Sequence, residues 1–173
     1  MARLSETNAE ELKESLKAAG INFVVYVPDS WSHLLLKKII EDKHFFSVGV
    51  VREDEGMATA MGAFMGGKNS AIIMEASGIG LSGLALGWLG ALQRMALLIV
   101  SSHTHVFGER DDYHAPTRTV SFPIINALNL PSIILHDIKD ARRIFKQAQM
   151  TVKGQMTPVC ISLPRHILWE EEE

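Results

Sequence analysis

The chain reads as an α/β protein, a doubly wound, six-stranded, mainly parallel sheet with helices on both faces. Three observations predict this. Six short runs are apolar throughout instead of alternating with polar residues, the pattern of strands covered on both faces. Segments with helical apolar spacing separate them, so each crossover can carry a helix. The 173 residues, 47% hydrophobic and 21% charged, suffice for one domain with a sizeable core, and that domain is expected to span 1–173.

The elements follow in order. Residues 5–19 set Leu12, Leu16 and Ala19 among charges, with Ser5, Thr7 or Asn8 as caps and Gly20 as a stop, so an amphipathic helix is expected. Residues 23–27 are a β-rich apolar run ended by Pro28, the first strand. From Asp29 to Asp42, Trp31, Leu34, Leu35 and Ile39 return at helical spacing. Residues 45–51 make the second strand and 54–66 a crossover helix rich in Ala and Met. The third strand is 71–74, a helix covers 78–93, and the fourth strand is 96–100. Residues 103–118 are polar and irregular, and loops of that length are usually functional or covered by a partner. A short helix at 122–128, a fifth strand at 133–135, an amphipathic helix at 138–153 and a sixth strand at 159–163 complete the sheet. The closing run Glu170–Glu173 is expected to be a solvated tail.

Charge and composition exclude several classes. Lys and Arg number 17 against 20 Asp and Glu, for a net charge of −3, and no basic block occurs, which argues against nucleic acid. The first residues carry charges where an export signal needs an apolar stretch, and the single Cys160 sits in an apolar run as a small buried hydrophobe, so a reducing, cytoplasmic setting is expected. Ala76 to Gln93 is an uncharged run of 18 residues, near the length of a bilayer span. Its five glycines and its flanks, Glu75 and Arg94, fit a buried helix better than a membrane span, with Gly83 and Gly87 spaced for close packing.

Two phosphate-binding patterns fall short on context. Gly78-Ile79-Gly80-Leu81-Ser82-Gly83 follows a strand and opens a helix, but the acidic residue that would hold a ribose is missing at the end of the next strand. A nucleotide-binding oxidoreductase is therefore a lesser alternative. Gly62 to Lys68 ends a helix and enters a strand, the reverse of a phosphate loop. His103, His105 and His114 lie near Glu109, Asp111 and Asp112, yet no third ligand is fixed in register, so no metal is expected.

The constellation that remains is Arg52-Glu53-Asp54-Glu55-Gly56, where the second strand hands over to its helix. Glu53 and Asp54 suit a solvated helix start that complements the macrodipole. Glu55 stands before Gly56 and a run of small residues at the C-terminal edge of the sheet, where ligands bind in such folds. Against apolar neighbours its pKa would rise toward the working pH, and it could move a proton.

At these residues the chain resembles the pyrimidine-binding domain of thiamine diphosphate enzymes, and most closely the alpha subunits of sulfopyruvate decarboxylases and their phosphonopyruvate decarboxylase relatives. The carriers are Val27-Pro28-Asp29-Ser30, Arg52-Glu53-Asp54-Glu55-Gly56 and Ser77-Gly78-Ile79-Gly80, with a weaker echo in Ser102-His103 followed by Gly108-Glu109. The resemblance implies that Glu55 is the catalytic glutamate that hydrogen-bonds N1′ of the cofactor's aminopyrimidine. That bond favours the imino tautomer of the 4′-amino group, which generates the reactive ylid. By the same comparison Pro28, Ser77, Gly78 and Gly80 would lie against the cofactor, and Asp29, Ser30 and His103 would face a small anionic 2-oxo acid, with sulfopyruvate giving sulfoacetaldehyde and carbon dioxide.

The Gly-Asp-Gly element followed at a distance by Asn, which holds magnesium and diphosphate in such enzymes, is absent. The resemblance thus implies a beta subunit that brings the diphosphate-binding domain with its Mg2+, and a hetero-oligomer, with self-association of the isolated chain left open. Two departures stand out. The relatives commonly read Gln-Asn-Ser-Gly where this chain has Glu75-Ala76-Ser77-Gly78, and Asn where Leu81 stands. A buried Glu75 carboxylate would repel a sulfonate unless protonated or paired, which keeps a noncatalytic or regulatory binding module as the alternative.

Overall fold

The computed structural model describes residues 3–107 and 111–170. Its elements are β1 (Arg3–Leu4), α1 (Glu6–Ala18), β2 (Phe23–Tyr26), α2 (His33–Glu41), β3 (Phe46–Gly49), α3 (Glu53–Met65), β4 (Ser70–Met74), α4 (Ser77–Leu81), α5 (Gly83–Ala85) and β5 (Leu98–His103). They continue with α6 (Phe122–Ala127), β6 (Ser132–Ile134), α7 (Ala141–Gln155), β7 (Val159–Pro164), α8 (Arg165–Leu168) and β8 (Trp169–Glu170). Six strands form one sheet in the order β3-β2-β4-β5-β7-β6, every neighbouring pair parallel. The expected doubly wound α/β fold is present, and its winding reverses between β2 and β4.

Both faces of the sheet are covered, which is why its central strands are apolar on both sides. On one face α1, α2 and α7 bury Leu12, Leu16, Leu35, Ile39 and Phe145. On the other, α3, the 77–92 segment and α6 bury Met57, Met61, Ile79, Leu86 and Ile125. The punctuation read from the sequence does its work. Ser5 accepts the backbone N–H of Asn8 at 3.3 Å, and Gly20 leaves α1 at φ +77°, a value that side chains disfavour. Cys160 is fully buried, and burial pushes its thiol up to about 11.

Three expectations need correction. The segment from Gly78 to Gln93 is not one helix. It runs as α4, then α5, then a π-helical stretch Leu86–Leu92, and wide π turns are common near functional sites. It is also not buried all round, because Leu81, Leu84, Trp88 and Leu92 form an exposed apolar stripe. Of its glycines, Gly83 lets Ile124 approach and Gly90 lets Pro158 approach, whereas a side chain at Gly87 would meet nothing. Finally, Glu170 is no tail residue, since β8 pairs antiparallel with β1 through Arg3 opposite Glu170 and Leu4 opposite Trp169. Two-residue strands leave too short a pattern to read from sequence.

A pair of substitutions tests this packing. At Gly90 an added methyl would come within 2.8 Å of Pro158 Cγ, and the proline ring cannot rotate away. Gly90→Ala is expected to cost about 1–3 kcal/mol through overpacking. At Gly62 in α3 nothing lies within 4 Å, so Gly62→Ala should gain up to about 1 kcal/mol from helix propensity. Urea unfolding of both variants would show opposite shifts in midpoint.

Candidate active site

The four motif-bearing turns leave the C-terminal ends of β2, β3, β4 and β5, which are neighbours in the sheet order β3-β2-β4-β5. Pro28, Asp29 and Ser30 follow β2, Arg52–Gly56 follow β3, Glu75–Gly80 follow β4, and His103 ends β5. The crevice where the winding reverses is the usual ligand site of such folds, and here it opens between the β2 and β4 turns.

Glu55 lies in the first turn of α3. Its neighbour Asp54 accepts Arg52 Nε at 3.0 Å and Nη2 at 2.8 Å, and also the backbone N–H of Glu55 at 3.0 Å. The Arg52 guanidinium holds the Asp54 carboxyl below its ordinary value. Arg52 is thereby occupied, and among the described residues nothing donates to the Glu55 carboxylate. Glu55 is exposed and lines an open cavity of about 550 Å³ with Arg52, Asp54, Leu81, Leu84, Ala85 and Trp88. The apolar neighbours expected for Glu55 are thus supplied by α4, α5 and the π-helical stretch, but on one side only. Leu84 and Trp88 are 75% and 58% exposed, so the wall itself is uncovered.

At the switch point two more carboxylates face one another electrostatically. Asp29 accepts the N–H groups of Trp31 and Ser32 at 3.2 Å each and the Ser32 hydroxyl at 3.1 Å. This turn delays α2 to His33, later than the helical spacing predicts. Burial pushes the Asp29 carboxyl above its ordinary value, those donors oppose the shift, and the charge of Glu75 adds to it. Glu75 accepts the N–H of Ser77 at 2.6 Å, the Thr104 hydroxyl at 3.0 Å and the Thr117 hydroxyl at 3.2 Å, with the two threonines 2.7 Å apart and fully buried. Neutral donors, not an ion pair, hold the carboxylate. Thr104 and Thr117 flank a long loop and carried no signal in the sequence.

The remaining predicted residues divide into groups. Pro28 and Ser30 line a groove with Asp29, Tyr26 and residues of α2. Ser77 is held through its backbone by Glu75. The space that Gly78 opens is taken by the side chain of Glu53, so Glu53 is half-buried instead of solvated. Gly80 lies under Val120 and Ser121, and its N–H donates to the Ser121 hydroxyl at 3.1 Å. Both glycines thus serve close approach within this chain. His103 stands apart from Glu55, in a separate cavity with Phe122 and His136 that shares no lining residue with the first. Gly108 and Glu109 lie outside the described residues. No three His, Cys, Asp or Glu side chains converge among the described residues. The acidic Glu53 side chain against Gly78 also occupies the place where a dinucleotide's pyrophosphate would approach its glycine loop.

No helix among the described residues is long and apolar enough to cross a membrane. No family model matches the chain. Sulfopyruvate decarboxylase subunit alpha of Methanothermobacter thermautotrophicus is 33% identical over 124 residues, covering 72% of this chain and 75% of the relative. Its counterpart from Methanococcus maripaludis is 26% identical over 165 residues, 95% of this chain and 98% of the relative. Among solved structures, the thiamine diphosphate-dependent 4-hydroxybenzoylformate decarboxylase of Rhodococcus jostii RHA1 superposes with a TM-score of 0.67 at 20% identity over 95% of this chain. The chain spans 31% of that enzyme's length.

The raised pKa of Asp29 carries a sign that can be checked. A buried carboxyl that holds its proton more tightly when folded contributes stability that is full below its ordinary value of 3.8 and is lost as pH rises through the higher folded value. Asp29→Asn removes the titration. The stability of the wild type relative to this variant should therefore fall as pH rises above 3.8, read from urea unfolding at a series of pH values. Parallel stability curves would show that Asp29 ionises as easily folded as unfolded.

Proposed function

The chain belongs to the sulfopyruvate decarboxylase alpha-subunit family of thiamine diphosphate-dependent 2-oxo acid decarboxylases, and we propose that it is the subunit that holds the pyrimidine end of the cofactor. One observation carries this reading. A carboxylate without an ion pair, Glu55, stands beside an uncovered apolar wall of Leu81, Leu84 and Trp88 at the ligand-binding edge of the sheet. A flat aminopyrimidine fits that pairing, with its ring against the wall and a ring nitrogen within reach of the carboxyl group. When bound, thiamine diphosphate supplies the electron sink that lets a 2-oxo acid lose carbon dioxide.

The protein's own part is to place and hold a proton. Glu55 would hold a proton toward the ring nitrogen of a bound cofactor, and the backbone of Pro28, Ser77, Gly78 and Gly80 would shape the neighbouring turns on the cofactor side. Asp29 and Ser30 border the substrate side, with Asp29 kept closer to its neutral form by burial. Pro28, Asp29 and Ser30 line one neighbouring cavity and His103 another, and neither shares a lining residue with that of Glu55.

This reading puts the diphosphate-binding domain and its Mg2+ on a partner beta subunit, which closes the wall and expels water. The exposed stripe from Leu81 to Leu92 supports that partner, because contiguous apolar surface of this kind marks interaction sites. Sulfopyruvate is the substrate proposed, converted to sulfoacetaldehyde and carbon dioxide.

Two measurements test the reading on the chain co-purified with its partner. Glu55→Gln keeps the shape but cannot share a proton in the same way, so carbon dioxide release from sulfopyruvate should fall by about 10²-fold or more, with the circular dichroism unchanged. Undiminished turnover in that variant would remove the assigned role. Trp88→Asp places a charge in the apolar wall and should weaken partner association by about 2 kcal/mol or more, seen as loss of co-elution on size exclusion.

A further inference from the structure

A second cavity, of about 590 Å³, opens between α6 and the β5-β7-β6 side of the sheet, within the size range of small-molecule pockets. Phe122, Ile125, Ile133 and Ile134 give it apolar lining. Five polar side chains join them, His103, Asn126, Ser132, His136 and Ser162, and no acidic side chain does. The His103 ring stacks on Phe122 with centroids 4.9 Å apart and planes at 28°, so its orientation is fixed. Its Nδ1 is buried without a hydrogen-bond partner, a costly condition unless a ligand satisfies it. His136 is held through its carbonyl, which lies 2.9 Å from Nε2 of His166 on α8.

We propose that this cavity is a second binding site, separate from the decarboxylation site, for a small carboxylate with an apolar body. The carboxylate lies between the imidazoles of His103 and His136, with the Asn126 amide and the serine hydroxyls as further donors, and the hydrocarbon body lies on Phe122 and the isoleucines. Two imidazoles without a third ligand do not make a closed metal site. A bare inorganic anion would leave the apolar lining unused.

The charge facing His103 defines how the site responds to pH. It is that of His136, from the segment after β6, while α6 and β7 contribute the neutral Asn126 and Ser162. Burial lowers the His103 pKa below 6.5, and the charge of His136 lowers it further. A bound carboxylate supplies the absent counter-charge, so binding takes up protons and tightens as pH falls.

The test uses the full chain and butyrate as the probe, with the His103 and His136 imidazole resonances followed by NMR. Saturating butyrate should raise the apparent pKa of His103, and its dissociation constant should fall about tenfold between about pH 7.5 and pH 5.5. Butyramide, which has the same shape without the charge, should not bind. His136→Gln should raise the His103 pKa in the absence of ligand and weaken butyrate about tenfold at the lower pH. No response of either imidazole to butyrate at roughly 50 mM would overturn the proposal, as would equal binding of butyramide. These readouts involve neither thiamine diphosphate nor the partner, so they stand or fall apart from the decarboxylase reading.

Discussion

A carboxylate placed inside a protein must find donors, and the way Glu75 finds them organises the functional edge of this sheet. Its three donors come from Ser77 in its own turn, Thr104 beyond β5 and Thr117 before α6. One side chain thereby ties the exit of β4 to both ends of the long loop that follows β5. The same clamp sets the approach to α6, where Ser121 meets the N–H of Gly80. Gln at position 75 would present one acceptor oxygen and a donor amide. The acid instead gives two acceptor oxygens to an N–H and a hydroxyl pair.

The 77–92 segment shows how packing and exposure divide along one stretch of chain. Gly83 and Gly90 press against Ile124 and Pro158, which seats the inner side on the sheet. Widening into a π-helical stretch leaves Leu81, Leu84, Trp88 and Leu92 together on the outer side. Nothing in this chain covers them among the described residues, so the cavity they line with Glu55 is open on that side. Glu55 is open to water on one side, and closure of the wall by another surface would change its surroundings.

Much of this was legible in the sequence. Continuous apolar runs identified all six strands of the sheet, and with them the edge where the motif-bearing turns lie, because strand ends follow from the runs themselves. Ser5 and Gly20 were readable because caps act locally. What was not readable depends on contacts between distant residues. The hydroxyls of Thr104 and Thr117 have no periodic signal, and His136 meets His103 only because β6 and β5 flank β7 in the sheet. The glycine run looked like one buried helix because composition reports apolarity and not which side is covered.

The final step concerns charge. Asp29, Glu53, Asp54, Glu55 and Glu75 gather near one edge, and five open carboxylates there would repel an anionic 2-oxo acid. The structure reduces that field locally. Asp54 spends its charge on Arg52, and Asp29 is pushed toward its neutral form by burial. Glu53, Glu55 and Glu75 remain, Glu75 with neutral donors around it. Glu53 is folded against Gly78, Arg52 is already engaged, and Lys37 is the cation that lines the groove with Asp29 and Ser30.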